Sequence, residues 1–237
     1  MERKNKQMKY YAVITAGGVG RRMKADVPKQ FLDLNGKPIL LRTIELFLNL
    51  PLPIEVVLVL PPSHIQLWKD YYQNNNLYFP HTIVAGGMTR FHSVRAALEE
   101  IPDGAVVAVH DGVRPIVPDE LLMELLTHPL DEKCAGVIPV ISVVESMRKK
   151  EFSEDGVQTG SHPVVRENYV LVQTPQVFDS TRLKQAYKKP YSPAFTDDAT
   201  VMESSGYSFD MIEGSKFNLK ITTRDDLEFA RRLFPEI

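Results

Sequence analysis

Cysteine is nearly absent: Cys134 is the single one among 237 residues. That excludes an internal disulfide and fits a reducing cytoplasm. Cys134 opens the run Cys134-Ala135-Gly136-Val137-Ile138, which reads as a buried strand, so the thiol is expected to act as a small core hydrophobe. Long apolar runs are missing as well. None approaches the roughly 20 residues of a membrane span, and no membrane partner is expected. The charged start from Met1 to Lys9 leads into a short apolar stretch that ends in glycines. This is a first strand and not a signal peptide, with Met8 as an alternative start and Met1 to Gln7 as a tail. Neither sign of charge dominates: 28 Lys and Arg stand against 30 Asp and Glu, a net charge of −2. No basic run points to nucleic acid, and there is no acidic tail. The six histidines show no metal-ligand spacing, which argues against zinc. Gly-x-Ser-x-Gly is absent and nothing marks Cys134 as an activated thiol, so no nucleophilic side chain is expected.

Two familiar phosphate loops are incomplete. A dinucleotide fingerprint lacks its third glycine, because Gly18-Val19-Gly20 continues as Arg21-Arg22-Met23. A Walker loop fails because Gly36-Lys37 is followed by Pro38. What is present is Ala16-Gly17-Gly18-Val19-Gly20-Arg21-Arg22-Met23, then Pro28-Lys29-Gln30-Phe31, directly after the apolar run Tyr10 to Thr15. Glycines there let backbone amides approach a ligand closely, as a phosphate cradle requires. Arg22 and Lys29 add two positive charges beside it. A triphosphate needs both: amides grip its oxygens, and cations neutralise the charge that grows as a P–O bond breaks.

Composition, with 43% hydrophobic and 24% charged residues, suits one α/β domain over residues 1–237. Ile54 to Leu60, Thr82 to Val84 and Ala105 to Val109 read as strands. Ile39 to Leu48, Ile65 to Gln73, Arg90 to Glu100 and Asp119 to Leu126 read as helices. This alternation predicts a Rossmann-like fold, a mostly parallel twisted sheet with helices on both faces. Ligands then sit beyond the carboxyl ends of the strands. The pattern breaks at about 142–168, where charged residues crowd between turns; a protruding β-arm is expected.

Several further motifs carry chemistry. Gly86 and Gly87, ahead of a helix, let a base lie against backbone, and Ser93 can bind a ribose hydroxyl. Asp111, at a strand end, is a natural Mg²⁺ ligand, since Mg²⁺ needs only one or two protein carboxylates. Arg114 can hold a phosphate or orient Asp111. His110, ending an apolar strand, reads as structural. Thr196 reads as the N-cap of a helix running to Ser204. Lys220 ends a short strand and can reach an α-phosphate.

With Pro28-Lys29-Gln30-Phe31-Leu32, Gly86-Gly87-Met88-Thr89-Arg90, His110-Asp111-Gly112-Val113-Arg114-Pro115, Gln173-Thr174-Pro175-Gln176, Thr196-Asp197-Asp198-Ala199 and Asn218-Leu219-Lys220-Ile221-Thr222 in order, the chain resembles the 2-C-methyl-D-erythritol 4-phosphate cytidylyltransferase family. The resemblance runs from about Tyr10 to about Leu233 and extends to its relatives that use ribitol 5-phosphate. It implies a cytoplasmic enzyme that joins CTP and a polyol phosphate with Mg²⁺ and releases pyrophosphate. Arg22, Lys29, Lys220 and Arg166 are then the catalytic set. Ala16, Gly17, Gly18, Gly20, Gly86, Gly87, Ser93 and Asp111 bind the nucleotide, with Asp111 also holding the metal. Arg114, Ser146, Arg166, Thr174 and Thr196 bind the polyol phosphate. The family exchanges its arm across a homodimer, so Arg166 is expected to serve the partner's substrate. Ser146 lies in Glu145-Ser146-Met147-Arg148, where the family carries Asp-Thr-x-Lys. Asp197-Asp198-Ala199 fits the methylerythritol branch better than the ribitol one. A non-catalytic nucleotide-binding protein on the same fold is the other alternative, and retention of Arg22, Lys29, Asp111 and Lys220 argues against it.

Overall fold

Residue alternation in the apolar runs decides the architecture. A computed structural model describes residues 8–17 and 27–234. The chain runs β1 (Tyr10–Thr15), a small hairpin of β2 (Asp33–Leu34) and β3 (Lys37–Pro38), α1 (Ile39–Leu48), β4 (Ile54–Leu60), α2 (Pro62–Asn74), β5 (His81–Ala85), α3 (Arg90–Leu98), β6 (Val106–Asp111) and α4 (Asp119–Thr127). It continues through β7 (Gly136–Ser142), β8 (Arg148–Phe152), β9 (Gln158–Pro163), β10 (Val170–Val172), β11 (Gln176–Asp179), α5 (Ser180–Ala186), α6 (Asp198–Ser204), β12 (Asp210–Glu213) and α7 (Arg224–Leu233). The main sheet has the order β10-β7-β11-β6-β1-β4-β5, with β12 on β7. Strands β6, β1, β4 and β5 are mutually parallel, as βαβ crossovers dictate.

Central strand β1 shows why the sheet is covered twice. Tyr11 and Val13 point to a core shared with Phe91, Val94 and Leu98 of α3 and Leu183 of α5. Ala12 and Ile14 point to the opposite core, with Leu40, Ile44 and Phe47 of α1 and Leu122 and Leu125 of α4. Both faces being apolar, the strand reads as a continuous hydrophobic run. Each such Leu, Ile or Phe contributes about 1.5–3 kcal/mol by leaving water, and a charge at Val13 would break the sheet at its centre.

The polar stretch after β7 leaves the sheet. Strands β8 and β9 pair antiparallel as a separate ribbon, from Arg148↔Pro163 to Phe152↔Gln158. Every residue of β8 is exposed. The chain returns along β7 as β10 and then β11, whose register slips between Val172↔Val140 and Val177↔Val137. The slip accommodates residues 173–175, which come to lie under the end of β6.

The strand read over Ala105 to Val109 runs on through His110 and Asp111, which end β6 as expected, with Thr15↔Asp111 as a pair. Three local expectations need correction. Cys134 precedes β7 and is half-buried; its amide is held by the Asp131 carboxylate at 2.9 Å in a turn. Lys220 lies in an extended segment that joins no strand, fixed by the Ile221 amide on the Val113 carbonyl at 2.9 Å. The N-cap of α6 is Asp197 and not Thr196: its carboxylate accepts the Thr200 amide at 2.9 Å. A carboxylate at that end is also favoured by the helix dipole.

Candidate active site

The carboxyl ends of β1, β4, β5 and β6 open into one cleft of about 390 Å³. Thr15, Ala16 and Gly17 line it from β1, Gly86 and Gly87 from β5, and Asp111 from β6. Lys29, Arg90, Ser93 and Lys220 complete its polar wall. Ala16 is buried, with its amide on the Val59 carbonyl at 2.9 Å. Gly18, Gly20 and Arg22 lie outside the described residues.

The strand-to-helix turn after β5 is built on close approach. A Cβ on Gly87 would lie 2.5 Å from His92 Cβ, and one on Gly86 would lie 3.0 Å from Ser93 Oγ. The turn therefore packs directly on the first turn of α3. Ser93 Oγ accepts the Gly87 amide at 3.1 Å and donates to the Thr89 carbonyl at 3.0 Å. Thr89 caps α3. Gly87 and Ser93 are thus mutually fixed, and the backbone of the turn faces the cleft.

Asp111 organises the charge. Lys220 Nζ lies 2.9 Å from Oδ2, Arg114 Nε 3.2 Å from the same oxygen, and Arg90 Nε 3.8 Å from Oδ1. Burial pushes this carboxyl up, but Arg90, Lys220 and Arg114 together outweigh it and hold it well below the usual carboxylate range. Arg90 also grips Asp198 with its two terminal guanidinium nitrogens, at 2.9 and 2.6 Å. Burial works against its charge, and Asp198 more than offsets this, raising its pKa. The Tyr187 hydroxyl donates to Asp198 at 2.6 Å.

Lys29 enters from the other wall. Gln30 donates to the Ala16 carbonyl at 2.8 Å and bonds His64 at 3.2 Å, which ties the 3₁₀ turn Lys29–Phe31 to the end of β1. Lys29 Nζ then reaches the Ile221 carbonyl at 3.5 Å, beside Lys220. Among the described residues Lys29, Lys220 and Arg90 line the cleft beside Asp111, a cationic wall that suits a polyanion.

Beneath Asp111 lies a closed hydrogen-bond chain. His110 is fully buried. Its Nε2 faces the Arg114 carbonyl at 3.0 Å and must carry the proton. Nδ1 therefore accepts from the Thr174 hydroxyl at 3.0 Å, whose oxygen accepts the Asp111 amide at 3.1 Å. Burial pushes the His110 pKa down to about 4, so the ring is neutral and structural. Arg114 lies behind Asp111, its NH1 on the Asn218 carbonyl at 2.8 Å. Of the two roles open to it, the geometry fits orienting Asp111.

The sequence-derived residues thus divide. Ala16, Gly17, Lys29, Gly86, Gly87, Ser93, Asp111 and Lys220 converge on the cleft. Thr174 and Arg114 support it from below. Thr196 faces Thr200 at 3.3 Å and does not line the cleft. Ser146 and Arg166 are exposed on the arm side, Arg166 bonding the Val144 carbonyl and, at 3.2 Å, Glu167. In the sequence Arg90 stands out only as part of the motif Gly86-Gly87-Met88-Thr89-Arg90. Its bond to Asp198, so distant in sequence, is what makes it a wall of the site, and only an arginine opening a helix beside Gly86-Gly87 hinted at it.

A model of the 2-C-methyl-D-erythritol 4-phosphate cytidylyltransferase family matches residues 10–235. The chain is 43% identical to the enzyme of that name from Bacteroides fragilis over 222 residues, covering 94% of this chain and 98% of that one. It is 43% identical to the Phocaeicola vulgatus enzyme of the same name over 226 residues, 95% and 100% of the two chains. The crystal structure of the Francisella tularensis enzyme superposes with a TM-score of 0.75 at 31% identity, over 95% of this chain and 100% of that one. Fold, cleft and matched length agree, and the chain belongs to the 2-C-methyl-D-erythritol 4-phosphate cytidylyltransferase family.

Proposed function

We propose that the protein joins CTP and 2-C-methyl-D-erythritol 4-phosphate to give the CDP-polyol and pyrophosphate, a step of isoprenoid precursor synthesis. The observation that carries this reading is the cationic cleft, with Lys29, Arg90 and Lys220 around Asp111 and the Gly86-Gly87 turn on one wall. A phosphate oxygen of the polyol substrate attacks the α-phosphorus of CTP. A new O–P bond forms, the bond to the β-phosphate bridging oxygen breaks, and pyrophosphate carries the electron pair away. The attacking oxygen is already ionised at pH 7, so no side chain has to take a proton. Catalysis is the holding of two anions in line and the neutralising of the transition state. Lys29 and Lys220 serve that second task, with Arg22 assigned beside them by the family motif.

Asp111 fits a Mg²⁺ ion carried by the triphosphate. It is the one carboxylate lining the cleft among the described residues, and its Oδ1 has only Arg90 at 3.8 Å as a cationic neighbour. Such an ion would supply charge neutralisation on the phosphates. Gly86, Gly87 and Ser93 receive base and ribose, the close backbone leaving little room for a purine. The enzyme works as a homodimer through the arm, with Arg166 binding the polyol phosphate in the partner's site, Ser146 also contacting the polyol phosphate, and the protein residing in the cytoplasm. Among the described residues no helix is long and apolar enough to cross a membrane. The names of the relatives and Asp197-Asp198-Ala199 favour methylerythritol phosphate over ribitol 5-phosphate.

Pyrophosphate release tests this directly. It should depend on CTP and methylerythritol phosphate together, with little turnover of ATP or ribitol 5-phosphate. Equal rates with ATP would remove the cytidine assignment, and preference for ribitol 5-phosphate would move the enzyme to the other branch.

A further inference from the structure

A second cluster of ligand-type side chains lies at the opposite edge of the sheet from the cleft. His128 follows the last turn of α4, Cys134 precedes β7, and Asp210 opens β12. One donor atom from each, an imidazole nitrogen, the sulfur and a carboxylate oxygen, lies within 4.8 Å of the other two. We propose that His128, Cys134 and Asp210 form a binding site for a borderline transition-metal dication of the Zn²⁺ class, which pins edge strand β12 to the α4–β7 connection.

Geometry and donor chemistry support this independently. Tetrahedral coordination at Zn–N and Zn–O distances near 2.0 Å and Zn–S near 2.3 Å places ligand atoms about 3.3–3.6 Å apart. His128 Nε2 and Asp210 Oδ2 are 2.8 Å apart, so they need only open slightly while the sulfur closes in. All three side chains reach the site from backbone that is already fixed. Asp131 accepts the Lys133 and Cys134 amides at 2.7 and 2.9 Å, and its own amide donates to the Cys134 carbonyl at 2.9 Å. The Ala135 amide bonds the Ser208 carbonyl at 2.8 Å, and Asp210 is paired with Val137 in the sheet. A thiolate and an imidazole beside one carboxylate select Zn²⁺ or Co²⁺ over Mg²⁺ or Ca²⁺, which prefer all-oxygen sites. His128 and Cys134 are half-buried and Asp210 is exposed, which leaves an entry path and room for water as a fourth ligand. Binding replaces the thiol proton by the metal and releases it to solvent.

Cobalt gives a sharp test, because Cys134 is the only cysteine and any thiolate-to-cobalt charge-transfer band must come from it. The chelator-stripped full-length protein titrated with Co²⁺ should develop that band at one equivalent and lose it on addition of Zn²⁺. A Co²⁺ ion held at Asp111 alone would produce no such band. Cys134→Ser should abolish it, and His128→Ala and Asp210→Ala should each weaken Co²⁺ binding about tenfold or more, beyond the effect of losing an outer partner. Zn²⁺ should raise the Tm of the wild type and not that of Cys134→Ser. No band in the wild type overturns the site. A band of unchanged affinity in both His128→Ala and Asp210→Ala also overturns it, since the thiol would then bind alone.

Discussion

Asp111 and the residues touching it set the charge of the cleft. It neutralises Lys220 and Arg114 in the resting protein, so these cations are already in place when a triphosphate arrives. Lys29 lines the opposite wall of the cleft and reaches the Ile221 carbonyl at 3.5 Å. Lys29→Ala should therefore lower kcat about a hundredfold, the scale of one lost transition-state contact, with little change in Tm. Near-full kcat at saturating CTP would remove Lys29 from the transition state. His110 makes a second residue-scale prediction. Its folded pKa is about 4 against an ordinary value of 6.5. The unfolded chain therefore takes up the proton first as pH falls. Stability from this residue is fully present above about pH 6.5 and is lost progressively down to about pH 4, by up to about 3 kcal/mol. Burial lowers the pKa of His64 and His81 in the same direction. Urea unfolding across this window should show the loss, and His110→Gln should flatten the slope. An unchanged slope in the variant would mean that His110 is not the buried neutral ring inferred here.

Elements come together at Asp198. It opens α6, receives Arg90 from the first residue of α3, and accepts the Tyr187 hydroxyl from the end of α5. Three helices on one face of the sheet thus share one buried carboxylate, and the position of Arg90 in the cleft depends on it. Removing one member of a buried pair leaves the other charge unpaired, which costs about 3–5 kcal/mol. Asp198→Ala should cost that much in urea unfolding, whereas Tyr187→Phe should cost only about 1 kcal/mol. If Asp198→Ala costs no more than Tyr187→Phe, Arg90 finds another partner and the tie is not structural. A similar knot holds the Lys220 segment. Asn218 donates to the Thr174 carbonyl at 2.8 Å, and Gln173 exchanges bonds with the backbone of Ser215 at 2.8 and 3.1 Å. Gln173 and Asn218 thereby fix the segments that carry Thr174 and Lys220.

At the scale of the whole molecule, the arm and the strand that follows it present apolar side chains to solvent. Phe152, Val157, Val165 and Leu171 are all more than half exposed. A two-fold pairing of arms would cover such residues and bring Arg166 to a second cleft. Mixing inactive Arg166→Ala with inactive Lys29→Ala subunits should then restore part of the activity, because some heterodimer sites contain both wild-type residues. Mixed dimers that form and stay inactive would place the action of Arg166 within its own chain or nowhere in catalysis.

Apolar runs that are short and rich in β-branched residues, such as Ile54–Leu60, made the parallel strands legible, and α1 was legible over Ile39–Leu48 from its amphipathic spacing. The cleft was legible too, because glycines after parallel strands mark their carboxyl ends. Tertiary structure decided everything that joins distant segments. Arg90 with Asp198, Thr174 under His110 and Asp111, and the convergence of His128, Cys134 and Asp210 have no sequence spacing to betray them. The histidines looked unlike metal ligands for that reason. A ligand set drawn from the end of a helix, a turn and an edge strand is set by how the sheet brings its edges together, and the order of residues along the chain does not record it.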